Sequence, residues 1–346
     1  MALMVIEGWD GLSEPRSRYV TTSSTLVTID TVVPRTGRAC LKTGGTTTTY
    51  ISIPTRSEVN EIYIGFAFRM SALPSLSNYL WLTFYAEGAG CGLTIQTDGK
   101  IGWKTGGTVI DDSGVNVLAV DTWYYIEVKV VKSNSTSADD CIVKVDGDEW
   151  INLSPGSDTS YLSYPLITKS VLFSGYSACL RYYDDIYICD SVGAAPCNTF
   201  LGDSKVATLY PDGNGNVNNF TGSDADSTDN YLHVDDGSGP DGDTSYVESA
   251  TVDHIDLYSF TALAEASGAI FGVEVVSTIK LDQPGASRVA SHVTRIDGTN
   301  YVNSNLIGSD IDYATYGSLW ALNPDDSAAW EDADIANAEF GIKIIS

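Results

Sequence analysis

The stretch from Leu118 to Leu153, LAVDTWYYIEVKVVKSNSTSADDCIVKVDGDEWINL, constrains the fold more than any other part of the chain. It alternates twice. In its first half Trp123, Tyr125, Glu127 and Lys129 fall on one side of an extended backbone, and Tyr124, Ile126, Val128 and Val130 on the other. In its second half Cys141, Val143 and Val145 oppose Ile142, Lys144 and Asp146. Successive side chains of a strand point to opposite faces, so a period of two predicts a pair of half-buried antiparallel strands. A polar loop, Ser133 to Asp140, joins them. Asp146-Gly147 supplies a tight turn after the second, since both residues tolerate left-handed backbone.

The same reading extends along the chain. Ala2 to Ile6 opens as a strand and runs into Gly8-Trp9-Asp10-Gly11, a turn signal. Thr21 to Val33 and Thr46 to Ile53 are rich in β-branched residues, which strands favour. In EIYIGFAFRM, Glu61 to Met70, the residues Ile62, Ile64, Phe66 and Phe68 form one face. Tyr79 to Tyr85, Gly92 to Gln96 and Lys100 to Lys104 follow, with Asp98-Gly99 as a hairpin turn, then Ser170 to Phe173 and Arg181 to Cys189. Many short strands, frequent turn signals and almost no helical periodicity predict an all-β fold. Beyond residue 200 the cysteines stop and Asp becomes abundant. The expected organisation is therefore two tandem, jelly-roll-like β-sandwich domains: residues 1–192, a linker 193–199, and a second, acidic sandwich 200–346. In the second, strands are expected at Lys205 to Tyr210, Ala269 to Ile279, Ser287 to Ile296 and Phe340 to Ile345. Pro211 to Asp243 reads as a long polar tract. Helical turns are expected only at Ala262 to Ala266 and Ile335 to Glu339.

Charge excludes several functions. Nineteen Lys and Arg against 45 Asp and Glu give a formal charge of −26. Phosphate contacts need clustered basic residues, so no nucleic-acid partner and no anionic membrane surface is expected. No apolar run approaches the ~20 residues of a membrane helix. MALMVIEGWDGLS has no basic start and meets Glu7 and Asp10 at once, so synthesis in a cytosol without a secretory signal is expected. The six cysteines, Cys40, Cys91, Cys141, Cys179, Cys189 and Cys197, make no CxxC pair, and His233, His254 and His292 lie in the other half of the chain. A Cys/His zinc site is not expected, and core thiols are.

Candidate sites are few. Trp81, Trp103, Tyr161, Tyr164 and Tyr176 lie in or near predicted loops, where a ring can stack on a glycan or a protein partner; the plainer reading is that some of them plug the sandwich ends. Asp224-Ala-Asp226-Ser-Thr228 has the first half of an EF-hand spacing, without its Gly or closing Glu. Asp241 and Asp243 add oxygen donors, so calcium stands as an alternative to ordinary turn composition. No cofactor is otherwise expected. No catalytic residue is assigned: Asp184 and Asp185 are adjacent in a strand and are expected on opposite faces, while Glu127 and Glu149 read as exposed. Nucleophile elbows, Walker loops and His-Glu-x-x-His are absent.

Trp-Tyr-x-Ile-x-Val, a polar loop and x-Val-x-Val-Asp-Gly together resemble the middle of a laminin-G-like, concanavalin A-like jelly roll. Gly-Trp-Asp near the start and Tyr-Asp-Asp-Ile-Tyr-Ile-Cys-Asp at the end extend the resemblance over nearly all of residues 1–190. Asn198-Thr-Phe-Leu-Gly-Asp203, Val206-Ala-Thr-Leu-Tyr-Pro-Asp-Gly213, Trp320 to Trp330 and Ile335 to Lys343 are similar to segments of virion structural proteins of tailed phages. That resemblance implies a non-enzymatic virion component, tail-associated, fibre or decoration. Its partners would be capsid, neck or tail proteins and further copies of itself, with a host glycan as a ligand of the first sandwich. The competing expectations are a free carbohydrate-binding protein and a glycan-degrading tail-spike enzyme.

Overall fold

The computed structural model describes residues 3–346 apart from 22–24, 45–48, 56–58, 77–78, 87–88, 106–107, 132–139, 154–169, 176–178, 194, 238, 265–267, 282–287, 305 and 309–310. The chain is all-β, with one α-helix of six residues, Asp332–Asn337, among those described. None of its described helices is long and apolar enough to cross a membrane. It divides into two compact units: Met1–Trp9 with Glu14–Val206, and Asp10–Ser13 with Ala207–Ser346. The expected second domain starts earlier, at residue 200; the reason for the difference is a strap described below.

The first unit is a sandwich of two antiparallel sheets. One runs, strand beside strand, Asp148–Leu153, Asp140–Val145, Tyr124–Val131, Glu61–Met70, Arg181–Asp190, Cys40–Thr43, Val27–Asp30, and Leu3–Glu7 also pairs with Arg181–Asp190. The other runs Thr108–Asp112, Ile101–Thr105, Ala89–Ile95, Tyr79–Ala86, Ser170–Gly175, Thr49–Pro54, Val20–Thr21. The alternating stretch around residue 130 forms the two strands expected, in register Val128 opposite Val143. Asp146 and Gly147, both at positive φ (50° and 87°), make the turn into the next strand. Such primed turns match the right-handed twist of paired strands.

Inward-facing rings from both sheets fill the space between them. Phe66 meets Trp81 at 5.7 Å and Phe173 at 5.2 Å, both edge to face, and Phe68 lies 4.2 Å from Trp81. Tyr183 stands 5.0 Å from Phe173, and its hydroxyl donates to the Ser174 carbonyl at 2.9 Å. Aromatic pairs of this geometry stabilise beyond their buried area. All six cysteines are free thiols and buried, as small apolar residues would be.

The second unit has a six-stranded sheet, Pro211–Asn218, Ile255–Phe260, Glu339–Ile344, Val289–Ile296, Thr299–Val302, with Ile307–Gly308 also on Val289–Ile296. It also contains the two-stranded sheets Val273–Ile279 with Ala314–Trp320 and Thr221–Gly222 with Val247–Glu248. The strand Pro211–Asn218, PDGNGNVN, falls inside the expected polar tract, and its register against Ile255–Phe260 is broken twice. Lys205 to Tyr210 is not a strand. The helix begins three residues before the turn expected at Ile335. A capping box starts it: Glu331 N–H donates to Asp334 Oδ2 at 2.8 Å while the Glu331 side chain accepts from the helix backbone.

Two apolar clusters of this unit, among the described residues, lie on either side of a polar level. Alternate residues of Val289–Ile296 read Ala290, His292, Thr294, Ile296, and all four are buried. Ala290 belongs to a cluster with Phe220, Ile307 and Ile344, joined by Ile279 and Tyr316. Ile296 belongs to another with Trp320, Trp330, Ala338 and Phe340, joined by Val273 and Val275. Between them the His292 ring bonds Ser277 Oγ through Nε2 (2.8 Å) and Ser318 Oγ through Nδ1 (2.7 Å).

Candidate functional site

The densest polar cluster of the first unit lies on Arg181–Asp190, a strand buried along its whole length. Against the expectation, Asp184 and Asp185 do not point to opposite faces. A bulge with one extra residue interrupts the pairing with Glu61–Met70 between Asp184 and Tyr187, and Asp185 takes left-handed backbone (φ 50°). Bulges re-aim side chains in this way. Both carboxylates meet the same segment: Asp184 Oδ2 accepts from the backbone N–H of Arg35 (2.9 Å) and Thr36 (3.3 Å). Asp185 accepts from Thr36 Oγ1 at 2.6 Å, from the Arg35 guanidinium at 3.0 Å and from Val206 N–H at 2.8 Å. Arg35 also pairs with Asp203 and lies over the Tyr125 ring at 5.0 Å.

Burial of both acids raises their pKa, and the Asp185 charge raises Asp184 further, to about 8. Paired carboxylates with perturbed pKa occur in active sites and in structural ion-pair networks alike. Here Asp184 and Asp185 are 0% and 1% exposed, and donors from two other chain segments close around them. The arrangement ties residues 35–36 and 203–206 to the sandwich.

Glu127 makes a second tie and corrects another expectation, for it is 3% exposed. Its Oε1 accepts from Tyr187 OH at 2.5 Å and from Gly202 N–H at 2.8 Å, while Leu201 N–H donates to Tyr187 Oη at 3.1 Å. Phe200 packs edge-on against Tyr63 at 5.3 Å, with Lys144 Nζ 4.4 Å from its ring centre. Residues 200–206 thus form a strap across the outer face of the first sheet. This explains why that face is buried where alternation predicts exposure, and why these residues belong to the first unit. Glu149 is exposed, as expected.

The aromatic candidates separate. Trp81 (0% exposed) and Trp103 (1%) are core residues, contrary to their reading as loop rings. Each sits on a strand of the second sheet, Trp81 packing against Phe66 and Phe68 and Trp103 against Phe84. Tyr161, Tyr164 and Tyr176 lie outside the described residues.

The four calcium candidates do not form one site. Asp241 accepts from Ser245 N–H and Oγ, both at 3.1 Å, and Asp243 pairs with Lys280 and accepts from Tyr313 OH at 2.9 Å. Asp226 Oδ1 accepts from Thr228 N–H at 2.7 Å, an Asx turn. Among the described residues one group of three side chains could hold a metal: Asp224, Asp229 and His233, with one ligand atom from each, all within 4.8 Å of one another. Asp229 and His233 belong to neither an EF-hand nor a Cys/His spacing, so those motifs do not point to them. A histidine four residues after an aspartate, in an acidic loop, was the available signal.

No protein-family model matches the chain, and no curated protein matches it. Solved structures do match. A mutant Trypanosoma rangeli sialidase displaying trans-sialidase activity is similar over 47% of this chain and 27% of its own, at 12% identity and TM-score 0.33. A Bacillus subtilis protein with a galectin-like fold is similar over 54% of this chain and 98% of its own (11%, 0.38). Domain 4 of AbnA, a GH43 extracellular arabinanase from Geobacillus stearothermophilus, solved in complex with arabinotriose, is similar over 55% and 93% (12%, 0.36). The chain spans about a quarter of the length of the sialidases it matches.

Proposed function

We propose that this chain is a non-enzymatic structural component of a tailed-phage virion, held to capsid, neck or tail by protein–protein association and assembled as a small homo-oligomer. The observation that carries the reading is where the resemblance to virion proteins falls in the fold. Asn198–Asp203 includes most of the strap on the first sandwich. Trp320–Trp330 closes the larger core cluster of the second unit, Trp330 Nε1 donating to the Trp320 carbonyl at 3.0 Å. The segments similar to virion proteins are those that hold shape. A charge of −26 supports the same reading, because it keeps an exposed protein surface from adhering to released DNA.

Gold-labelled antibody against the chain, viewed on purified particles by electron microscopy, tests the proposal. Label on the head assigns decoration, and label on the tail assigns a tail or fibre role. Bare particles, with the chain also absent from their disrupted contents by mass spectrometry, overturn it.

Host-glycan contact by the first sandwich is the finer part of the proposal. It falls to Tyr161, Tyr164 and Tyr176, because Trp81 and Trp103 are core residues. A glycan array probed with the full chain and with the triple Tyr→Ala variant decides it. Equal signals from both chains, or none from either, remove this part and leave the virion reading standing.

A further inference from the structure

The loop between Gly222 and Val234 is built around the three side chains named above. Its start is fixed by the pairing of Thr221–Gly222 with Val247–Glu248, and by Gly222 N–H donating to the Asp226 carbonyl at 2.6 Å. Its end is a 3₁₀ turn, Asn230–His233. Asn230 is fully buried and anchors that turn: its Nδ2 donates to Asp256 Oδ2 at 2.8 Å and to the Phe220 carbonyl at 3.1 Å. His233 is therefore carried on a pinned segment.

Three observations point to a ligand between these side chains. First, His233 Nε2 is buried and makes no hydrogen bond, while Nδ1 lies 3.3 Å from Ser223 Oγ. With Nδ1–H donating to Ser223, the Nε2 lone pair faces the carboxylates, which is how a metal-binding imidazole is oriented. Second, Asp229 occupies the N-cap of the 3₁₀ turn but its carboxylate does not cap it, although capping is what Asp ordinarily does there. Third, both ligand atoms converge on Gly222, where only a glycine permits their approach: a Cβ there would come within 2.8 Å of Asp224 Oδ1 and 2.9 Å of His233 Nε2.

The spacing agrees. His233 Nε2 and Asp224 Oδ1 are 3.4 Å apart. That is longer than the ~2.7–2.9 Å of a charge-assisted hydrogen bond. It matches the ~3.3 Å between two ligands that each sit ~2.0 Å from one tetrahedral ion. The Asp229 carboxylate lies within 4.8 Å of both side chains' ligand atoms.

We propose that Asp224, Asp229 and His233 bind a first-row transition-metal dication of the zinc class, linking the two ends of the 222–233 loop. An imidazole with two carboxylates suits zinc or cobalt; calcium takes oxygen ligands and would leave the imidazole unused.

Co²⁺ and Zn²⁺ titrated into the tag-free full chain test this, by calorimetry and by the visible spectrum of the Co²⁺ form. The expected result is one ion per chain, with d–d bands and no thiolate charge-transfer band. His233→Ala and Asp229→Asn should each weaken binding by at least about tenfold, as loss of even an outer-shell partner does. Gly222→Ala, which displaces Asp224 Oδ1 and His233 Nε2 without removing a ligand, should also weaken it. Circular dichroism confirms that each variant is folded. The proposal is overturned if the folded chain binds neither ion. Unchanged affinity in His233→Ala, a thiolate band, or equal competition by Ca²⁺ would each overturn it as well.

Discussion

In the first sandwich Phe66, Phe68, Trp81, Phe173 and Tyr183 meet ring against ring in one place, and the carboxylates of Asp185 and Glu127 are bound to the 200–206 strap instead. In the second unit two apolar clusters of described residues stand apart, and a polar row of His292, Ser277 and Ser318 lies between them. The cause is visible strand by strand. Val273–Ile279 contributes Val273, Val275, Ser277 and Ile279 on alternate positions, and Ala314–Trp320 contributes Tyr316, Ser318 and Trp320. Each of these two strands carries one serine among its apolar residues, and both serines reach His292. A contiguous core gains from each added ring, whereas a divided core depends on satisfied hydrogen bonds at its centre. The two units should therefore fail differently when mutated.

The largest effect is expected at Trp81. Trp81→Ala should destabilise the first unit by about 3–5 kcal/mol, read as a shift of its denaturant midpoint. A folded variant that lost only glycan affinity would contradict the core assignment. Trp81→Phe should cost much less, because Trp81 Nε1 has no hydrogen-bond partner to lose.

Arg35→Met comes next. It leaves the buried Asp185 without its guanidinium and releases Asp203, and removing one partner of a buried ion pair typically costs about 3–5 kcal/mol. Proton uptake by the aspartates should place the result near the lower end. The strap should also loosen, so amides of residues 201–206 should exchange faster than those of the neighbouring sheet. Unchanged exchange there would sever the link between the carboxylate cluster and the strap.

His292→Ala tests the second unit. It removes two hydrogen bonds and leaves Ser277 and Ser318 facing a cavity, a loss of about 2 kcal/mol by the usual range for unsatisfied buried groups. His292→Leu should recover part of it by joining the two apolar clusters. If Leu is worse than Ala, the level is shaped for a polar group and the divided core is a packing requirement.

How far these differences were legible in the sequence depends on the range of the interaction. The hairpin around Asp146-Gly147 and the inward face Ile62, Ile64, Phe66, Phe68 follow from alternation and turn chemistry, which are local. Trp103 could have been placed in the core, since it lies two residues from Ile101 on the same face of a short strand. Glu127 could not: the cover that buries it arrives from Gly202 and Leu201, 75 residues later. The bulge at Asp185 leaves no trace in an alternating pattern either, so the two aspartates were assigned to opposite faces. Pro211–Asn218 was missed because its glycines and asparagines disfavour strands, and its pairing is irregular for the same reason. In the metal-binding loop, Asp224 was legible from spacing. Asp229 and His233 are brought to it by a 3₁₀ turn that no short motif announces.

The smallest change over a single pH unit is expected at Asp184, and its sign separates the carboxylate cluster from ordinary ion pairs. Burial, and then the neighbouring Asp185, raise the Asp184 pKa from 3.8 to about 8. Between those values the folded chain holds a proton that the unfolded chain releases. Stability must therefore fall as pH rises through that window and level off above about 8, with a slope of at most about 1.4 kcal/mol per pH unit for one proton. Acids held below their usual value, such as Asp30 beside Lys42, work in the opposite sense and lose their contribution only in acid. Asp184→Asn should flatten the slope between pH 4 and 8, because the amide keeps an acceptor for Arg35 and Thr36 N–H and has no proton to exchange. Asp256 in the second unit is also raised, chiefly by burial, so a residual slope should survive in that variant. A stability profile unchanged by Asp184→Asn would mean that the pair shares its proton through Asp185, and Asp185→Asn would then carry the effect.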